Sequence, residues 1–475
     1  MSKLLKIFSI VIGGLIGLLV LGAIALFFFL DANAFKSRFE AAVSDVFGME
    51  VRIGGRLGVG FFPGLLVTLE DVNIRNRGTD VATAREARIR IDFLPLLYKR
   101  VQIKAISLEQ PRISIERDHD GTFNLEKSVA ARKILPDLNL AKISLTGGTI
   151  IYADKQSGRG FEAADCSLSV SRLRLTERNR PGIMKNLSFT AEAACGAIRT
   201  QDYAASGLRF SVAGQRGVFD LKPVTMRVFD GQGSGSIRAS FTGAVPLYHV
   251  RYSLSPFRIE AFLKHLASKN VAEGAMDFSA NLSMQGKTVK ALRRTAQGQI
   301  SLRGKQLILN GRDLDRAFAR YESSQNFNLV DVAALLLAGP AGLAVTKGYN
   351  FASNFQESEG RSEIQTLVSD WKVERGVAQA QDVAMATKQN RVALKGGLDF
   401  VNERFDDVTV ALVDAKGCIR VQQTIHGAFK NPVVEKPGAI KSLSGPVVKL
   451  LKQVEGFFPG GACEVFYAGS VVSPT

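Results

Sequence analysis

Few side chains in this sequence have the types and the spacing that catalysis requires. None of the four histidines has a second histidine three or four residues away, the spacing that places two metal ligands on one helix face. The sequence also lacks a nucleophile elbow, a P-loop and a dinucleotide-binding glycine motif. Asp313 and Asp315 lie where a short helix is expected to begin, and acidic residues there suit the helix dipole. We therefore expect no catalytic residues, no metal site and no cofactor.

Two short polar stretches could hold an ion, but local structure explains both better. Asp118, His119 and Asp120 precede Gly121, and Asp-Gly is a common hairpin turn. Residues 231–236 read GQGSGS and could surround a phosphate, but no helical pattern follows them. We predict a turn at the first stretch and a flexible hairpin loop at the second.

The cysteines indicate disulfide bonds more than reactive chemistry. The chain contains four of them, at Cys166, Cys195, Cys418 and Cys463. No CxxC motif is present, which argues against zinc and thioredoxin-like sites. In an oxidising compartment an even count suggests disulfides, and the simplest connectivity joins the first pair and the second pair. Cys418 alternates with Arg420, a position where a free thiol would be exposed, whereas Cys166 and Cys195 could equally be buried apolar residues.

The elements that would position any site begin with a long apolar run. Residues 7–30 carry no charge over 24 positions, enough for a helix to cross a hydrocarbon core of about 30 Å. Lys3 and Lys6 precede the run and Asp31 follows it, so the N-terminus is expected in the cytoplasm and the rest of the chain outside. The run ends in three phenylalanines and a leucine, a poor cleavage site. We predict an uncleaved single-pass anchor.

The chain is basic, with a net charge of +17 over 475 residues. A basic surface can attract nucleic acid or anionic lipid headgroups, or simply keep a protein soluble. Here the basic residues are spread along the chain, and the predicted anchor argues against a nucleic-acid partner. Weak attraction of lipid phosphate is compatible with this distribution.

Beyond the anchor, apolar and polar residues mostly alternate, which is typical of strands with one apolar face. The phase changes after Leu69, and we expect a bulge near Glu70 and Asp71. Helical spacing is confined to five short segments, at about 33–47, 259–266, 314–321, 332–338 and 439–458.

These helices are too few to cover so many apolar strand faces, and no linker divides the chain into sandwich domains. We therefore predict a mainly β fold in which one transmembrane helix precedes a long curled antiparallel sheet, a groove or arch, with a few short amphipathic helices. Roughly 25 strands spaced about 4.8 Å apart would extend for about 120 Å. The predicted regions are the anchor at 1–30, an N-terminal β region at 31–140, a middle β-groove region at 141–295 and a C-terminal region at 296–475.

Several stretches resemble one protein family in order along the chain. They are the anchor with its following helix, residues 61–72 (FFPGLLVTLEDV), residues 94–97 with 101–103, residues 111–125 (PRISIERDHDGTFNL), residues 298–302 and residues 425–432. Together they resemble the AsmA family of inner-membrane-anchored periplasmic proteins of Gram-negative bacteria. The resemblance implies a β-groove related to bridge-like lipid-transfer proteins and a role in moving phospholipid between the inner and outer membranes.

The functional hypothesis is therefore a non-enzymatic conduit for phospholipid acyl chains, held in the inner membrane by residues 7–30, with the bulk of the chain in the periplasm. An outer-membrane or envelope protein is a possible partner. The alternative is a non-enzymatic envelope scaffold that assists outer-membrane protein assembly. The residues expected to line the groove are Ile89, Ile91, Phe93, Val101, Ile103, Ile113, Ile115, Phe189, Phe210, Val250, Tyr252 and Phe278.

Overall fold

The structure is a computed structural model, and it falls into two units, Met1–Arg174 and Leu175–Thr475, each of which is considered separately. The residues that it describes are 36–60, 64–92, 95, 98, 102–125, 139–175, 183–264, 272–311, 313–324, 336, 360–435 and 463–474. Among the described helices, none is both long and apolar enough to cross a bilayer. The predicted anchor at residues 7–30 lies outside the described residues.

The described residues of the first unit include a helix and eight strands. The helix is α1 (Lys36–Phe47), close to the predicted 33–47. It is followed by Gly48 with a φ of +66°, and a glycine in this conformation commonly ends a helix. The strands are β1 (Glu50–Ile53), β2 (Leu57–Gly60), β3 (Leu65–Asn76), β4 (Thr79–Ile91), β5 (Ile103–Glu109), β6 (Arg112–Arg117), β7 (Asn139–Asp154) and β8 (Arg159–Leu175).

These eight strands occupy six positions in the sheet, because two positions are filled by interrupted strands. β1 and β2 both pair with β3, and β5 and β6 both pair with β4 on one side and with β7 on the other. The pairings of β7 with β5 and β6 are parallel, whereas the other pairings are antiparallel. The prediction of a purely antiparallel sheet is therefore wrong at this point.

Strands β3, β5–β6 and β7 each have a residue with positive φ at neighbouring positions across the sheet. Asp71 in β3, Gln110 between β5 and β6, and Gly147 in β7 all have positive φ values, of +52°, +47° and +61°. Gln110 N donates to Thr146 O at 2.8 Å, next to the bend in β7. The phase change expected near Glu70 and Asp71 is present, since Leu69 and Val72 are both buried. The register of β3 shifts by one residue between β2 and β1 at this level, but the extra residue lies in the β1–β2 connection, and the register of β3 with β4 does not shift there.

The second unit is an antiparallel meander with short helices. Its helices are α2 (Ile183–Asn186), α3 (Ile259–Leu263), α4 (Val289–Thr295) and α5 (Leu314–Ser324). Its strands are β9 (Leu187–Thr200), β10 (Ala204–Gln215), β11 (Val218–Val228), β12 (Gly231–Ser240), β13 (Leu247–Arg258), β14 (Ala272–Glu273), β15 (Ala275–Gln285), β16 (Gln297–Asn310), β17 (Arg361–Glu374), β18 (Val377–Ala386), β19 (Arg391–Asp399), β20 (Arg404–Val413), β21 (Ile419–Ala428) and β22 (Asn431–Val434).

Each strand of this meander pairs with the strands before and after it in the chain, apart from β14, which continues β15 across Gly274 and pairs with β16. Two of the predicted helices, at 259–266 and 314–321, correspond to α3 and α5. The predicted helix at 439–458 lies outside the described residues, as does the one at 332–338 apart from residue 336.

The glycine-rich stretch at 231–236 is the first half of strand β12, so the predicted hairpin loop is wrong. Its glycines are needed because a neighbouring strand lies very close. A Cβ at Gly231 would lie 2.6 Å from Phe257 Cβ, and a Cβ at Gly235 would lie 2.2 Å from Arg251 O. The close approach of β13, through backbone and side-chain atoms, therefore requires glycine at these positions within a regular strand.

The main hydrophobic core of the second unit lies on the apolar face of β16–β21, where α5 packs against the strands. Leu314 and Phe318 of α5 and Leu336 are at most 1% exposed and lie in one cluster with Ile364 and Leu367 of β17. The first turn of α5 is fixed by Leu314 N, which donates to Ser362 Oγ at 2.7 Å.

Candidate functional site

The apolar face of the first sheet consists of side chains aligned directly opposite one another. Residues at opposite positions of paired strands project to the same face. One row contains Val67, Ile89, Ile106, Ile143 and Val170 on β3, β4, β5, β7 and β8. A second row contains Leu69, Ala87, Leu108, Leu145 and Leu168 on the same strands. The apolar side is thus continuous over five sheet positions.

Helix α1 covers only part of this face. Phe39 and Val43 lie against the buried residues of β1–β4. On the same face, but on strands β7 and β8 away from α1, Ile143 and Val170 are only half-buried. Phe161 of β8 is 40% exposed. The open part of the apolar face therefore lies over β5–β8.

The predicted lining residues of the first unit lie on this face where the structure describes them. Ile91 is opposite Ile103, Ile113 lies beside Ile150, and Ile115 lies beside Tyr152, whose ring stacks on Phe161 at 5.6 Å. The predicted residues Ile89, Ile91, Ile103, Ile113 and Ile115 are all half-buried. Phe93 and Val101 lie outside the described residues.

The second unit repeats this arrangement over β9–β15. One row contains Ala191, Val212, Leu221, Ile237, Val250 and Leu282. The adjacent row contains Ala193, Phe210, Val224, Gly235, Tyr252 and Ala280. Neither row includes a charged residue. Six strand positions spaced about 4.8 Å apart give an apolar face about 24 Å wide.

The five predicted residues of this unit are distributed over the same face. Phe210, Val250 and Tyr252 lie in these two rows, and Phe278 lies opposite Leu254 beside them. Phe189 begins an aromatic series along one margin, in contact with Phe219 at 5.7 Å. All five predicted residues are half-buried. The structure thus leaves this face partly accessible over β9–β15, in contrast to the covered face of β16–β21.

Tyr252 is the one residue of these two rows with a hydroxyl. Its ring lies over the glycines of β12, since a Cβ at Gly233 would lie 1.8 Å from Tyr252 Oη. Tyr252 Oη is buried and has no hydrogen-bond partner within the described part of the chain. Burial raises the pKa of this hydroxyl, so Tyr252 is uncharged at neutral pH.

The opposite face of the same strands is polar and rich in arginine. Arg209, Arg227, Arg238 and Arg251 are exposed there, and Asp220 lies 3.7 Å from Arg238. The strands therefore separate an uncharged apolar face from a basic polar face, as is common in antiparallel sheets.

The C-terminal segment, residues 463–474, is fixed to the second unit at several points. A disulfide joins Cys418 and Cys463, as predicted, with their Cα atoms 6.0 Å apart. Tyr467 Oη donates to Asp382 Oδ1 at 2.5 Å, and Arg391 Nη1 donates to Val471 O at 3.0 Å. Burial and the neighbouring carboxylate raise the pKa of Tyr467.

Neither of the other two cysteines is free, and the pairing of Cys166 with Cys195 stays a prediction. The predicted turn at Asp118 is confirmed, because Gly121 N donates to Asp118 O at 3.0 Å. In the described ranges, no group of three or more His, Cys, Asp or Glu side chains is arranged to hold a metal ion.

Sequence reasoning named only four of the 22 residues in these four rows, Ile89, Phe210, Val250 and Tyr252. Ile106 and Leu108 were missed because a register shift after Ile103 changes which residues of β5 share its face. Ile143, Leu221 and Leu282 follow the same alternation as the predicted residues, and this alternation was the signal that could have found them.

Comparison with known proteins gives one match. The family model described as the AsmA family matches residues 1–184 and 198–367. No curated protein and no solved structure matches the chain.

Proposed function

Because the chain belongs to the AsmA family, we propose that it carries phospholipid acyl chains along the apolar face of its sheets between the inner and outer membranes of a Gram-negative envelope. Residues 7–30 would hold it in the inner membrane, with the bulk of the chain in the periplasm. The supporting observation is the continuity of the apolar rows over β9–β15, which cross neighbouring strands without a charged side chain and are mostly half-buried.

The energetic requirement for such a carrier is large. Moving an acyl chain of about 16 carbons from an apolar medium into water costs on the order of 13 kcal/mol of free energy, at about 0.8 kcal/mol per methylene. A surface of aliphatic side chains removes most of this cost. The backbone of β9–β15 already satisfies its hydrogen bonds within the sheet, so the apolar face presents no backbone group that a hydrocarbon would leave unpaired.

The dimensions also fit. One leaflet accounts for half of a hydrocarbon core of about 30 Å, so an extended acyl chain needs about 15 Å. The apolar face of β9–β15 is about 24 Å wide at about 4.8 Å per strand. An extended acyl chain can therefore lie across this apolar face.

A transfer assay with two matched variants tests the proposal. Val212 and Ser211 are neighbours on β10 and project to opposite faces, with Ser211 directly opposite Glu192. We expect Val212→Arg to reduce transfer of fluorescent phospholipid from donor vesicles carrying the full chain to acceptor vesicles by at least tenfold, because the charge interrupts the apolar row.

Ser211→Arg is the control, since it adds the same side chain beside Glu192 on the polar face, and it should transfer lipid normally. Circular dichroism of both variants checks that each is folded. Normal transfer by a folded Val212→Arg protein would contradict the proposal.

A scaffold role is the alternative, and one observation favours it for part of the chain. Among the described residues, the apolar face of β16–β21 is largely buried by α5 and Leu336, so this part of the second unit offers little apolar surface to a lipid. If neither the native protein nor Ser211→Arg transfers lipid, the scaffold interpretation becomes the better one.

A further inference from the structure

The polar face of the second unit carries a straight row of hydroxyl groups. Thr225, Ser234, Ser253, Ser279 and Ser301 lie directly opposite one another on β11, β12, β13, β15 and β16. Five positions spaced about 4.8 Å apart make a row about 19 Å long. A strand face exposed to water does not need hydroxyl residues at successive positions, because any polar side chain can form hydrogen bonds with water.

This row runs into a cleft of about 690 Å³ whose floor is formed by β13 and β15–β18. The size is that of a small-molecule or oligomer site. Residues of the row that line the cleft are Ser253, Ser279 and Ser301, and Asp370 and Asp382 continue the row on β17 and β18.

The charged groups of the cleft are already paired with protein groups. Arg303 Nη2 lies 2.6 Å from Asp370 Oδ2, and Ser301 Oγ donates to Asp370 Oδ1 at 2.5 Å. Asp382 accepts from Tyr467 Oη and Ser470 Oγ, at 2.5 and 2.6 Å. These contacts fix the positions of Arg303, Asp370 and Asp382 in the cleft.

The uncharged groups, in contrast, remain available to a ligand. Ser253, Ser279 and Gln299 are exposed and make no side-chain hydrogen bond within the described residues. A hydroxyl and an amide each donate and accept hydrogen bonds. The free groups of the cleft therefore suit a ligand that both donates and accepts along its length.

This chemistry identifies the ligand class. An anionic ligand is disfavoured, because Asp277, Asp370 and Asp382 outnumber Arg303 and Lys372 in the lining. An apolar ligand would leave the free hydroxyls unpaired, which costs about 1–3 kcal/mol for each group. We infer that the cleft and the hydroxyl row bind an extended, uncharged glycan chain. This site lies on the face opposite the apolar rows and does not depend on the lipid proposal.

Ligand-observed NMR on the full chain tests the inference. The probes are cellotetraose and chitotetraose, whose β-1,4 linkages keep the chain extended, and maltotetraose, whose α-1,4 linkages curve it. Saturation transfer to an extended probe, with a weaker effect on maltotetraose, is expected. The double variant Ser253→Val and Ser279→Val should weaken the binding of the extended probe at least tenfold.

Ser236→Val is the matched control, since Ser236 lies on the polar face of β12 opposite Arg251, outside the row and the cleft. It should bind as the native protein does. The inference is overturned if neither extended probe receives saturation, if the control loses as much affinity as the double variant, or if inorganic phosphate displaces the glycan at equal concentration.

Discussion

Replacing Tyr252 by phenylalanine should stabilise the protein, although tyrosine is a good strand residue. Tyr252 Oη is buried without a hydrogen-bond partner among the described residues, while the ring lies over Gly233. A buried polar group left unpaired costs about 1–3 kcal/mol. Because the residue as a whole is only half-buried, we expect the lower end of that range, a gain of about 1 kcal/mol.

Tyr467→Phe is the matched comparison and should have the opposite sign. Tyr467 Oη donates to Asp382 Oδ1 at 2.5 Å and accepts from Val471 N at 3.0 Å. A hydrogen bond to a charged group contributes about 1.5–3 kcal/mol to stability. Loss of this hydroxyl should therefore lower the free energy of unfolding by about 2 kcal/mol.

Urea unfolding followed by tryptophan fluorescence measures both changes. The chain has a single tryptophan, Trp371 in β17, which reports on the second unit. With a urea dependence of about 1–3 kcal/mol per molar, a gain of about 1 kcal/mol raises the midpoint by about 0.3–1 M. A fall in the midpoint for Tyr252→Phe would refute the reasoning, since it would mean that the hydroxyl has a partner, such as water or a bound lipid.

Three further predictions concern the second unit. Gly233→Ala should cost about 1–3 kcal/mol, because the added Cβ meets Tyr252 Oη, and the cost should shrink in a Tyr252→Ala background measured by the same unfolding assay. Replacing Cys418 and Cys463 by serine should lower the free energy of unfolding by roughly 4 kcal/mol, the value expected for opening a loop of this length in the loop-entropy account. Burial alone would raise the pKa of Asp382, but hydrogen bonds from the C-terminal segment lower it below its usual range. Its contribution to stability is therefore present above the unfolded pKa of about 3.9 and is lost as the pH falls through the folded value, so Asp382→Asn should flatten the acid limb of a stability–pH curve.

Local patterns predicted much of the strand content. The phase change around Asp71 was visible in the sequence, because a strict two-residue period cannot keep both Leu69 and Val72 on one face. The expectation of an extra residue in β3 was wrong, since the register of β3 with β4 runs through this point without a shift. The helices near residues 36 and 314 were likewise predicted from apolar spacing, since each has a single apolar stripe that contacts the sheet.

Long-range pairings were harder to predict. The parallel pairing of β7 with β5 and β6 was not predicted, because the two-residue period of a strand is the same for parallel and antiparallel neighbours. The interruption at Gln110 and Pro111 looked like the boundary between two strands, yet β5 and β6 keep one register on β4 and β7.

The glycines of β12 show why composition misled the prediction. Gly233 and Gly235 have the local signature of a loop, but their role depends on the ring of Tyr252, which lies 17 or more residues away in the chain. Similarly, alternation identified Val250 and Phe210 as apolar-face residues. It could not show that α5 covers the apolar face of β16–β21, because that contact depends on tertiary packing.

Site-specific photocrosslinking tests the central claim most directly. A benzoylphenylalanine would replace Val212 or Val250 on the apolar face, and Ser211 or Arg251 on the polar face, in the full chain expressed in a Gram-negative host. After irradiation, mass spectrometry of the purified protein identifies any phospholipid adduct. The account predicts phospholipid on the two apolar-face positions and none on the two polar-face positions. Equal labelling of both faces, or no labelling of folded protein at either apolar position, would contradict it.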